Sequence, residues 1–125
     1  MLILISPAKT FDFNSPTNFN EETKPFFESD ANKLVRNLIP LGEDGLKKIM
    51  GISENLANIN MQRYLNFTKL KKNETKQAIF AFHGDVYESL NIKSFKRKDL
   101  KFSQNHLRIL SGLYGYLRPF DLIKP

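Results

Sequence analysis

Apolar positions along this chain fall into short blocks of two kinds, continuous runs and runs at helical spacing. Leu2-Ile3-Leu4-Ile5 is continuous and ends at Ser6-Pro7, which predicts a strand buried on both faces. Ala78 to Phe82 is a second continuous run, and Leu107 to Leu110 offers a third strand before Gly112. Between them, Ala31, Leu34, Val35 and Leu38 recur at helical spacing, behind a Ser29-Asp30 cap and ahead of the terminators Pro40 and Gly42. Leu46, Ile49 and Met50 mark a second helix, which Glu43-Asp44-Gly45 opens with acids suited to its dipole and Gly51 stops. Ser53 caps a third, with Leu56, Ala57, Ile59 and Tyr64 facing inward. Gly84-Asp85 begins a helical turn that runs through Leu90, and Lys98 to His106 forms a further helix.

Two stretches have no period. Residues 14–28 are rich in Asn, Pro, Thr and Glu and read as a loop long enough to be functional or mobile, and residues 68–76 are a lysine-rich connector. Strands alternate with helices throughout. The expected class is α/β, a small mixed or parallel sheet with helices, in a single domain over residues 1–125 that contains no repeat.

Composition narrows this further. A hydrophobic share of 41% over 125 residues supports a core and excludes wholesale disorder. The net charge of +6 is uneven: residues 1–45 carry 4 basic and 7 acidic side chains, residues 46–125 carry 15 and 6. A basic field of that kind attracts polyanions, which makes double-stranded DNA the first partner to consider; lysines spread over solvated helix faces are the plainer alternative. The absence of cysteine excludes disulfides, thiolate catalysis and cysteine-ligated metals. His83 and His106 show no ligand spacing, so neither metal nor cofactor is expected. The N-terminus lacks a charged leader and no run approaches a membrane span, which predicts a cytoplasmic protein without a membrane partner.

Residues 43–65 read as a helix-hairpin-helix-like element. The pattern is Ile49-Met50-Gly51-Ile52-Ser53-Glu54-Asn55-Leu56-Ala57: an apolar pair, a glycine, an apolar residue, a small residue and then a helix. A glycine turn lets the backbone approach a phosphate, and the following helix N-terminus offers free N–H groups and a positive dipole end. Lys47, Lys48, Gly51, Ile52, Ser53 and Asn55 are the candidate DNA contacts, joined by lysines at 69, 71, 72 and 76. Two short helices joined at a glycine also make an ordinary helical corner.

Ligands of α/β folds gather at the carboxyl ends of strands. By that argument Ser6, Lys9 and Thr10 after the first strand, Tyr87 after the second, and Ser111 and Tyr114 after the third are candidate ligand-binding residues. Lys9, Asp85, Arg108 and Arg118 are the candidate catalytic set for an enzyme acting on a nucleotide or other phosphorylated small molecule. Asp85 and Arg108 are the expected pair, because a buried guanidinium needs its donors satisfied.

Three blocks carry a specific resemblance. Ile5-Ser6-Pro7-Ala8-Lys9-Thr10, Gly84-Asp85-Val86-Tyr87 and Leu107-Arg108-Ile109-Leu110-Ser111-Gly112-Leu113-Tyr114-Gly115, the last followed by Leu117-Arg118-Pro119, occur in the order and spacing of the bacterial peroxide-stress family typified by YaaA. The resemblance spans the whole chain. It implies a role in the response to peroxide, in which free iron is limited and DNA is protected from oxidation. In that family the stretch corresponding to Asp121–Pro125 leads into a second half, so this chain corresponds to the N-terminal half of a larger fold. Ten apolar residues between Leu107 and Ile123 then lack that half, which predicts self-association through residues 107–123 or poor order there. An inactive fragment is the third reading beside DNA binder and enzyme.

Overall fold

The computed structural model describes residues 1–17, 19–67 and 74–124 and is a mixed α and β fold. The strands are short: β1 (Ile3–Ile5), β2 (Thr10–Phe11), β3 (Lys76–Gln77), β4 (Phe82–His83), β5 (Leu107–Ser111), β6 (Gly115–Leu117) and β7 (Leu122–Ile123). The helices are α1 (Glu28–Leu38), α2 (Gly42–Met50), α3 (Glu54–Phe67), α4 (Ala78–Ala81), α5 (Asp85–Leu90) and α6 (Arg97–His106).

β5 is the middle strand of the largest sheet. It pairs parallel with β1, Ile3 opposite Leu107 and Ile5 opposite Ile109, and antiparallel with β6, Ile109 opposite Leu117. Leu107 and Ile109 point into the core while Leu110 is exposed, the alternation of a strand covered on one face. β1 departs from the expectation of burial on both faces. It lies at the edge of this sheet, and Ile3 and Leu4 are 41% and 59% exposed, so only Ile5 packs against the core.

The run Ala78–Phe82 is not the strand its composition suggests. Ala78–Ala81 make one helical turn between β3 and β4. Its first N–H groups are taken by the C-terminal segment, Ala78 donating to the Asp121 carbonyl at 2.8 Å and Ile79 to that of Pro119 at 3.0 Å. A short, largely buried apolar run suits helix and strand alike, and here the partner carbonyls decide.

The three early helices follow their predicted spans with two changes. α1 begins at Glu28 after Phe27, whose carbonyl accepts the Ala31 N–H at 2.9 Å, so Ser29 and Asp30 sit inside the first turn. Ala31, Val35, Leu46 and Ala57 are buried, whereas Leu34, Ile49, Met50, Leu56 and Ile59 remain exposed. Ser53 does cap α3: its hydroxyl accepts the Leu56 N–H at 3.3 Å and its carbonyl the Ala57 N–H at 2.9 Å.

Side chains of later elements pin the long loop before α1. Lys76 Nζ donates to the carbonyls of Asp12 and Ser15 at 2.7 and 2.8 Å, and Gln77 Nε2 to those of Phe19 and Glu21. Thr23 bridges to Asp121, which accepts its hydroxyl at 2.5 Å. Residues 107–123 are likewise held: Leu107, Ile109, Tyr114, Leu117, Phe120 and Ile123 are buried within the chain. Exposed apolar surface, the premise for association through that segment, is left there at Leu110 and is more extensive at Met1–Leu4.

Candidate functional site

The α2–α3 hairpin turns on Gly51. Its φ of 62° and ψ of 36° place it in the left-handed region, where its N–H closes α2 on the Lys47 carbonyl at 3.0 Å. A Cβ added there would meet nothing within 4 Å, so the glycine answers to backbone conformation and leaves open surface beside the turn. Lys47 and Lys48 occupy the last turn of α2, exposed and without an ion-pair partner among the described residues. The acids of α2 lie at its other end, where Glu43 accepts a hydrogen bond from Asn58 Nδ2 at 2.8 Å and ties the two helices together. Along α2 the charge is sorted, acids at its start and lysines at its end, while the exposed Glu54 opens α3 on the other side of the turn. Ile52 is half-buried, and Ser53 and Asn55 are exposed at the start of α3.

The other lysines offered as DNA contacts divide. Lys76 is buried and bonded to the loop carbonyls above, which removes it from any surface role. Burial also lowers its pKa, against the pull of Asp12, whose carboxyl is held down to about 2 by the side chain and N–H of Ser15 and by the Asn14 N–H. Lys69, Lys71 and Lys72 lie outside the described residues.

Among the described residues, the candidate catalytic side chains make no hydrogen bond or ion pair with one another. Arg108 Nη1 donates to the carbonyls of Gln104 and Leu107, both at 2.8 Å, and thereby closes the end of α6 rather than pairing with Asp85. Asp85 is exposed and its side chain makes no hydrogen bond or ion pair among the described residues; it stands in the first turn of α5, where a carboxylate suits the dipole. Lys9 is exposed and has no side-chain partner among the described residues. Arg118 is bound to Asp121 and to the Lys24 carbonyl.

The ligand-binding candidates do meet, mostly as structural bonds between blocks. The Tyr87 hydroxyl donates to the Ser6 carbonyl at 2.6 Å and that of Thr10 to the His83 carbonyl at 2.5 Å. Gly84, beside Ala8, takes a φ of 150° that side-chain-bearing residues rarely adopt. Ser111 Oγ accepts the Tyr114 N–H at 3.1 Å, and the Tyr114 oxygen accepts the Lys124 N–H at 3.3 Å. Burial pushes the phenols of Tyr87 and Tyr114 up to about 12, so both are neutral. Pro7 and Ala8 of the first block and Ser111–Tyr114 of the third share a cleft of about 250 Å³ with one face of α3. Sequence reasoning missed the α3 side of it, although Asn60, Arg63, Tyr64 and Phe67 carry a helical spacing that marks a single face.

His83 Nε2 lies 3.4 Å from Glu88, and His106 Nδ1 2.8 Å from the Phe102 carbonyl. Among the described residues no group of three or more His, Cys, Asp or Glu side chains is placed to hold a metal, and no helix is long and apolar enough to cross a membrane.

Comparison with known proteins places this arrangement. The family model described as Peroxide stress protein YaaA matches residues 1–125. A UPF0246 protein of Paraburkholderia phytofirmans is 44% identical over 126 residues, covering 100% of this chain and 48% of the relative. One of Polynucleobacter necessarius is also 44% identical, with 49% of its length covered. The chain thus spans about half the length of the curated relatives it matches.

Proposed function

The chain belongs to the family of the peroxide stress protein YaaA, and we propose that it serves that response by holding double-stranded DNA through the hairpin of residues 43–65. The contact is with the phosphate backbone, does not read base sequence, and limits iron-driven oxidative damage to the duplex it covers. The observation that carries this reading is Gly51: a left-handed, open turn flanked by the exposed, unpaired Lys47 and Lys48. Backbone N–H groups at the start of α3 add a positive dipole end to the same corner.

Salt titration tests it. Each phosphate neutralised on a duplex contributes about −0.9 to the slope of log affinity against log salt. Lys47→Gln with Lys48→Gln should weaken binding of unrelated duplexes equally and flatten that slope by about 1 to 2. Unchanged affinity and slope, or a strong preference of the wild type for one duplex sequence, would overturn it.

A further inference from the structure

The cleft between α3 and the first and third sequence blocks has a chemistry of its own. Asn60, Arg63, Tyr64 and Phe67 form one wall, at positions i, i+3, i+4 and i+7 of α3. Pro7, Ala8 and the Ser111–Tyr114 turn form the other, with Lys124 at the rim. Lys124 Nζ stands 4.5 Å from the centroid of the Phe67 ring, and its backbone N–H is fixed by the buried Tyr114 oxygen. Arg63 is exposed and has no ion-pair or hydrogen-bond partner among the described residues. No carboxylate lines the cleft itself, although Lys124 also borders a neighbouring hollow with Glu22 and Glu28, and the rest of the lining is largely aromatic or apolar.

Cations beside aromatic faces suit a ligand that is a flat ring joined to an anion. Base stacking on aromatic side chains is worth roughly 1–3 kcal/mol per base, and arginine engages phosphate through two parallel donors. At about 250 Å³ the space falls below the range that encloses whole drug-sized ligands, roughly 300 Å³ upward, so it admits the ring and leaves the phosphate at the rim. We propose that this cleft binds one nucleotide unit, its base against Tyr64 and its phosphate on Arg63 and Lys124. An unpaired nucleotide of a DNA strand and a free nucleotide present this same chemistry. Only the first source rests on the duplex-binding reading.

Gly112 supplies the decisive variant. A Cβ there meets nothing within 4 Å and its φ lies outside the left-handed region, so Gly112→Leu fills the cleft without backbone strain. Calorimetric titrations with AMP, inorganic phosphate and a short single-stranded oligonucleotide, on wild type, Gly112→Leu and Arg63→Gln/Lys124→Gln, test the assignment. Both cleft variants should lose at least tenfold in affinity for AMP or the oligonucleotide while keeping the wild-type circular dichroism. Saturation by AMP assigns a free nucleotide; saturation by the oligonucleotide alone assigns a strand. Lys47→Gln/Lys48→Gln should leave AMP binding unchanged, which separates failure of the hairpin from failure of the cleft. Absence of binding by either nucleotide probe, wild-type affinity in both cleft variants, or phosphate binding as tightly as AMP would overturn the proposal.

Discussion

Arg118 and Asp121 form an ion pair in which the acid is fully buried and the base is 34% exposed. Asp121 Oδ1 accepts from Arg118 Nε and Nη2 at 3.2 and 3.1 Å and from the Thr23 hydroxyl, while Oδ2 accepts the Arg118 backbone N–H at 2.8 Å. The Asp121 carbonyl receives the first N–H of α4 as well. One residue therefore joins the long loop, the α4 turn and the C-terminal strands.

The two partners of this pair should differ in what their loss costs. Asp121→Ala leaves a half-buried guanidinium, a hydroxyl and an N–H without their acceptor and should destabilise by about 3–5 kcal/mol. Arg118→Met leaves Asp121 with Thr23 and a backbone donor and should cost less, about 1–3 kcal/mol. Urea unfolding midpoints check the order; an arginine variant less stable than the alanine one would show that the carboxylate is not the hub.

Lys76→Met keeps the aliphatic volume but strips the donor from the carbonyls of Asp12 and Ser15. A loss of about 1–3 kcal/mol is expected, with faster amide exchange over residues 12–17. Because this ammonium is buried, the salt slope of DNA binding should not move; a flatter slope would contradict its structural role.

Gly51→Ala forces a Cβ into the left-handed region and should cost about 1–2 kcal/mol without a clash, since nothing lies within 4 Å. Gly51→Val should cost more, being β-branched. If either variant stays folded and binds duplex as well as wild type, the turn does not approach the phosphate.

Burial holds the Tyr114 phenol at about 12, above its ordinary 10, so the folded chain keeps a proton that the unfolded chain releases between those values. The resulting stability is complete below pH 10 and is lost as pH rises towards 12, up to about 3 kcal/mol. Lys76, held low by burial, moves stability the other way, so the comparison belongs between wild type and Tyr114→Phe. The drop in urea midpoint from pH 9 to pH 11.5 should be smaller in the phenylalanine variant.

The helical part of the fold was legible because its signals are local. Ala31 and Val35 recur on the buried face, and Gly51 and Ser53 end and begin helices through bonds within four residues of themselves. Ala78–Phe82 was misread because its backbone partners, Pro119 and Asp121, lie some forty positions away. Arg108 was expected to need a carboxylate, but carbonyls at the end of its own preceding helix sufficed. The α2–α3 turn was legible because Gly51 and Ser53 carry its two helix-end signals within three positions. Arg63 and Lys124 were not, because a helix face and a chain end 61 positions apart meet only once the sheet has formed.

β1 has a consequence for the order in which the molecule is built. Ile3 waits for Leu107, 104 positions later, before it has any strand to join. On a ribosome delivering the chain from its N-terminus, α1 to α3 have all their local partners while Met1–Ile5 has none. Loop closure over that span comes late, so sheet formation, not helix formation, should set the pace of folding. Residues 1–5 are thus among the last to find their place, and a chaperone or a neighbouring nascent chain has the synthesis of the 104 positions up to Leu107 in which to meet them.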